Sequence, residues 1–120
     1  MTTTENSTGF KALNAAAAFT QGQRAKISSG QWAVAGATDK AVGVAQHACA
    51  SGGVLTVKLF TAPGTFLVQA SGAITAGAQL YPTASGCVDD AGTTVIGLVA
   101  LEAASASGDL IEAARCEVGA

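Results

Sequence analysis

Leu13-Asn14-Ala15-Ala16-Ala17-Ala18-Phe19-Thr20-Gln21-Gly22 reads in isolation as part of an alanine-rich helix, yet the chain repeats its pattern 55 residues later as Val68-Gln69-Ala70-Ser71-Gly72-Ala73-Ile74-Thr75-Ala76-Gly77. Both copies follow apolar, amide, alanine, two small residues, alanine, apolar, threonine, any residue, glycine. The second copy is entered through Phe66-Leu67-Val68, residues that favour a pleated, half-buried surface, and it meets a glycine, which costs a helix about 1 kcal/mol relative to alanine. Both stretches are therefore read as a strand entering a turn, with a helix over Lys11 to Phe19 as the alternative.

Two further blocks keep the same order. Ala41-Val42-Gly43-Val44-Ala45 matches Val95-Ile96-Gly97-Leu98-Val99 at an offset of 54, and Val54-Leu55-Thr56-Val57 matches Leu110-Ile111-Glu112-Ala113 at 56. Small insertions in turns account for the drift, so the order predicts an internal duplication of about residues 11–60 and 66–116. The segment from Asp109 to Val118 has two readings, a helix capped by Asp109 or a strand. Its counterpart alternates Val54, Thr56, Lys58 and Phe60 against Leu55, Val57 and Leu59, which favours the strand.

Strands are then expected near 24–28, 31–35, 41–48, 54–60, 65–70, 78–82, 86–88, 94–101 and 109–116. Clusters such as Ser28-Ser29-Gly30, Ser51-Gly52-Gly53, Ala62-Pro63-Gly64 and Asp89-Asp90-Ala91-Gly92 separate them. Turns every 8 to 15 residues predict an all-β fold, a small barrel or sandwich of short strands. The polar, threonine-rich residues 1–9 carry no core pattern and are expected to form an extended N-terminal arm, leaving residues 10–120 as a single domain. A length of 120 residues leaves no room for a second.

Composition bounds the function. Hydrophobic residues are 49% of the chain, but 27 of the 120 residues are alanine and aromatics are only 5%, so few side chains can fill a core. A thin core points to burial between subunits. Charged residues are 12% and the net charge is −2, which leaves no cationic excess for nucleic acid. The halves differ: residues 1–60 hold five bases and two acids, residues 61–120 one base and six acids, so the molecule is expected to be electrically bipolar. No apolar run is long enough for a membrane span, and the first residues lack a secretory pattern, so synthesis in the cytoplasm is expected. Cys49, Cys87 and Cys116 are an odd count at wide spacing and read as small hydrophobes rather than a disulfide framework.

Groups able to do chemistry are sparse. His47 and Cys49 share one face of an expected strand at i, i+2, but no second Cys or His pair completes a metal site. On the repeat their counterparts are Leu101 and Ala103. Asp89 and Asp90 before Ala91-Gly92 suit a tight hairpin, with glycine supplying positive φ. Glu102 and Glu112 can face one another on paired strands as a glycosidase's carboxylates do, but no aromatic residues surround them to hold a sugar. Trp32 is either an interface anchor or the centre of its own core. No catalytic residue, metal site, cofactor or small-molecule substrate is assigned.

The order of Ser29-Gly30-Gln31-Trp32, Ala41-Val42-Gly43-Val44-Ala45, Gly53-Val54-Leu55-Thr56-Val57, Ile74-Thr75-Ala76-Gly77-Ala78-Gln79-Leu80-Tyr81 and Ile96-Gly97-Leu98-Val99-Ala100-Leu101-Glu102-Ala103-Ala104 resembles the capsid cement, or head decoration, proteins of tailed phages. The resemblance runs from about residue 10 to residue 116. It implies a compact all-β domain that trimerises on the outside of an icosahedral shell and bridges major capsid subunits, without catalysis. A tail, fibre or other β-rich binding module is the alternative. On the arm, Thr2, Thr3, Thr4, Glu5 and Asn6 are the candidate partner-binding residues, together with Trp32. The arm is expected to reach a neighbouring subunit and add backbone hydrogen bonds there.

Overall fold

In the computed structural model, which describes residues 8–117, ten short strands follow one another without a helix. They are β1 (Phe10–Asn14), β2 (Arg24–Ser28), β3 (Gln31–Val34), β4 (Gly43–Ala45), β5 (Val54–Leu59), β6 (Phe66–Gln69), β7 (Tyr81–Pro82), β8 (Val88–Asp89), β9 (Leu98–Ala100) and β10 (Leu110–Arg115). The tightest connection is Ser29-Gly30, with φ of +50° and +76°. Positive φ at both central residues makes a type I′ turn, whose twist matches that of the flanking strands. It sets Ile27 opposite Trp32 and Ser28 opposite Gln31.

The first five strands form one antiparallel sheet in the order β1-β5-β4-β2-β3. It curls until the Ala16 N–H donates to the Trp32 carbonyl at 2.7 Å. The contact is one parallel bridge, Ala15 to Trp32. The expected barrel is therefore corrected: no sheet closes on itself. Strands of two to six residues cannot tilt and stagger far enough for their edges to meet as a ladder.

The second five strands divide into a three-stranded sheet, β6-β10-β9, and a β7-β8 pair. A bridge from Gln79 to Val99 and the Leu80 N–H donated to the Leu98 carbonyl at 2.9 Å place the residues just before β7 beside β9. The sequence of neighbours is then β6-β10-β9-β7-β8, the order of the first sheet. Individual bonds recur as well. Phe19 and Cys49 exchange backbone bonds of 2.8 and 3.0 Å, as Ile74 and Ala104 do at 3.0 Å each. Gly22 donates to Ala45 as Gly77 does to Ala100. Gly43 pairs with Leu59 as Leu98 does with Arg115, so this block is offset by 55 residues rather than the 54 obtained by matching Gly43 to Gly97. The two glycines serve different ends. Gly97 turns the chain with φ +75°, whereas a Cβ on Gly43 would run into the Lys58 carbonyl and lie 2.6 Å from Val57 Cγ1.

Both stretches with open readings hold strands rather than helices: Phe10–Asn14 and Leu110–Arg115. The strands expected over 41–48 and 94–101 shrink to three residues each. The Asp89-Asp90-Ala91-Gly92 hairpin is absent. β8 ends at Asp89, and a loop runs on to β9. Gly92 lies against Tyr81, where a Cβ would sit 2.8 Å from that residue's own Cβ, so close approach rather than positive φ requires glycine. Gly9, the last residue of the expected arm, is buried and accepts the Leu59 N–H at 2.7 Å.

Each half has its own core. The first gathers Ala15, Phe19, Ala25, Trp32, Ala45, Leu55 and Val57, and the second is built around Phe66, Val68, Ile74, Leu80, Val88, Leu98 and Ile111. Val44 and Phe60 extend from the first half into the second core, and Phe60 meets Phe66 edge to face with centroids 5.4 Å apart.

Candidate interaction site at the junction of the halves

β2 enters the first sheet at Arg24, and the longer β7–β8 connection, Thr83 to Cys87, folds back onto it. The Arg24 N–H donates to Gly86 O at 2.8 Å, and the neighbouring Gln23 Nε2 donates to Ser85 O at 2.8 Å. The Arg24 side chain, 1% exposed, spans the seam. Its Nη2 donates to Ala35 O at 3.1 Å, Gly36 O at 3.3 Å and Thr83 O at 2.9 Å, and its Nε to Cys87 O at 3.4 Å. Nη1 is buried with no hydrogen-bond partner among the described residues. Burial pulls the guanidinium pKa below its usual value, against the opposing influence of Cys87 and Asp39. Arginine remains charged nonetheless, since its ordinary pKa lies so far above neutrality.

Asp39 is the nearest carboxylate, and its charge is already engaged. It accepts from Lys26 Nζ at 2.9 Å and from the Gly36 N–H at 2.7 Å, and these two bonds hold its pKa below the usual carboxylate value. Beside it opens a cavity of about 250 Å³. Ala41, Phe60, Val95 and Ile96 give it apolar walls, while Arg24, Asp39, Lys40 and Thr94 supply the polar ones. Lys40 is exposed at this site. With Asp39 paired to Lys26, the surplus charge here is positive. The cavity suits an apolar group that carries a negative charge beside it.

Sequence reasoning missed Arg24, because an arginine in a strand reads as a solvated side chain. The one signal available was the repeat, which puts the uncharged Gln79 in its place. The singled-out residues fall elsewhere. Trp32 is 1% exposed and sits in the first core, its Nε1 without a partner among the described residues. Thr2, Thr3, Thr4, Glu5 and Asn6 lie outside the described residues.

His47 accepts the Thr56 N–H at Nε2, 3.2 Å, which leaves Nδ1 protonated and donating to Ala48 O at 2.9 Å. The register corrects its counterpart from Leu101 to Glu102, and that of Cys49 from Ala103 to Ala104. Glu102 does the same work as His47: its Oε1 accepts the N–H of Glu112, the residue equivalent to Thr56, at 2.8 Å. The two glutamates do lie together, and Glu112 Oε2 accepts from Thr65 Oγ1 at 2.6 Å. The described residues contain no cluster of three or more His, Cys, Asp or Glu side chains able to hold a metal, and Cys49, Cys87 and Cys116 are all free thiols.

Fold and surface together define a small all-β structural module, two halves of similar strand order sharing a polar seam. The chain belongs to the phage cement protein family, whose model matches residues 14–116. Among solved structures it is similar to the head fiber gp8.5 N base of bacteriophage phi29, with a TM-score of 0.67 and 15% sequence identity, over 92% of this chain and 98% of that one. This likeness concerns the fold. No curated protein sequence matches the chain.

Proposed function

We propose that this protein is a structural component of the virion exterior, made in the host cytoplasm, which binds the outer surface of a phage capsid as a homotrimer and bridges major capsid subunits. Membership of the cement family over residues 14–116 carries the reading. The two small cores support it, since burial between copies adds apolar area that one chain cannot supply. Additive contacts would do the mechanical work: rupture by internal pressure must break many of them at once. The arm before Gly9 extends these contacts through Thr2, Thr3, Thr4, Glu5 and Asn6. The recurring bonds favour an origin by internal duplication. No catalysis, cofactor or nucleic acid enters this reading.

Cryo-electron microscopy of the source particle tests it. A cement protein appears at high, symmetric copy number as three-fold clusters over the shell. Density confined to the tail or to a few projecting fibres would establish the second reading, a fibre base, which the likeness to a head fiber N base favours.

A further inference from the structure

The cavity at the seam has a counterpart elsewhere on the same chain. Leu101 is 47% exposed at the far end of β9, next to Glu102. Its N–H donates to the Glu112 carbonyl at 2.9 Å, and Leu67, 44% exposed, stands opposite Glu112 across β6 and β10. An apolar corner is thus bordered by two exposed carboxylates, and neither is ion-paired among the described residues. The cavity inverts this chemistry, with apolar walls, the cations Lys40 and Arg24, and one carboxylate, Asp39, whose charge is taken up by Lys26.

We propose that copies of this chain associate head to tail, the Leu101-Glu102 corner of one protomer seating in the seam cavity of the next, with Glu102 beside Lys40. The inference rests on the homotrimer reading and specifies its interface. A chain cannot fill its own cavity this way. Ile96 lines the cavity before the Gly97 turn and Leu101 follows β9, so the three-residue strand, about 10 Å long, separates them. Charge complementarity selects a second copy, because the first half carries five of the six bases and the second half six of the eight acids. Contacts between unlike faces close into a ring when the rotation permits.

Light scattering of the full chain, with dilution to obtain association constants, tests the assignment. The wild type has the mass of three copies at about 50 mM salt and dissociates more readily as screening increases. Leu101→Ser weakens association about tenfold or more by removing the apolar side chain. Lys40→Glu and Glu102→Lys each weaken it about threefold or more, and the double variant K40E/E102K regains wild-type association. All three positions are exposed, and unchanged circular dichroism confirms that the variants fold. A trimer indifferent to every variant overturns the face assignment while leaving the trimer intact. A single-copy mass at all protein concentrations overturns the proposed contact, and the trimer reading falls with it if the particle carries isolated copies. Variants that stay trimeric but detach from the particle assign the Leu101 corner to the shell, which also overturns the proposal.

Discussion

Arg24 holds together parts of the chain that no strand ladder connects. Four carbonyl groups from two halves take their donors from one planar guanidinium, so Arg24→Ala removes several buried hydrogen bonds at once. A loss of about 3 kcal/mol or more is expected in urea denaturation. Arg24→Lys should recover little of it, because an ammonium lacks the fork that reaches carbonyls on both sides. His47 is the contrasting case. Its exposed ring caps one backbone amide, so His47→Gln, which keeps an acceptor, should cost under about 1 kcal/mol and leave particle attachment unchanged. Loss of attachment in a folded His47 variant would mean that the ring meets a partner.

The two cores fill the same framework with different parts. Ala25 and Trp32 in the first half occupy the places of Leu80 and Val88 in the second, one small and one large side chain against two of middle size. Trp32→Val alone should cost about 3 kcal/mol through the cavity it leaves, and Ala25→Leu alone about 1 to 3 kcal/mol through overpacking. Together they copy the second core, so the double variant should lose clearly less than the sum in a thermal or urea cycle. Additive losses would show that the two frameworks differ in more than side-chain volume. The turns add a pH dependence. Asp109 accepts the Ser105 N–H at 2.9 Å, the Ser105 hydroxyl at 3.0 Å and the Ala106 N–H at 3.1 Å, which lowers its pKa from 3.8. Asp39 is lowered in the same direction by Lys26 and Gly36. The unfolded chain therefore takes up protons first, and this stability, complete above about pH 4, is lost as pH falls through the folded values. Asp109→Asn should flatten the acid limb of stability against pH.

At the scale of the whole molecule, the uneven charge along the chain becomes an uneven charge in space, because each half builds its own body. Lys11, Lys26, Lys40 and Lys58 belong to the first half, and Asp89, Glu102, Asp109 and Glu112 to the second. A module of this kind should attach with an orientation, and attachment should weaken as salt rises. The arm can be tested separately. Since Gly9 is already bound to β5, deletion of residues 2–7 rather than 2–9 isolates it. The melting temperature should stay nearly unchanged while binding to the particle weakens. Unfolding on deletion, or undiminished binding, would refute the arm's role.

The all-β class and most strand positions were legible in the sequence, because alternation and turn residues act locally. Matching the sequence against itself also favoured strand over helix for Phe10–Asn14 and Leu110–Arg115, where local propensity alone left two readings. Closure, register and the seam were another matter. Whether β1 meets β3 depends on how far a five-stranded sheet curls. Matching glycine to glycine misplaced one block by a residue, since identical residues can serve a turn in one half and a crowded strand in the other. Arg24 carries no local mark of burial, and its partners lie 11, 12, 59 and 63 residues away in sequence. Local chemistry fixed what each segment could form; only the packing of one half against the other decided which charged side chain would lose its water.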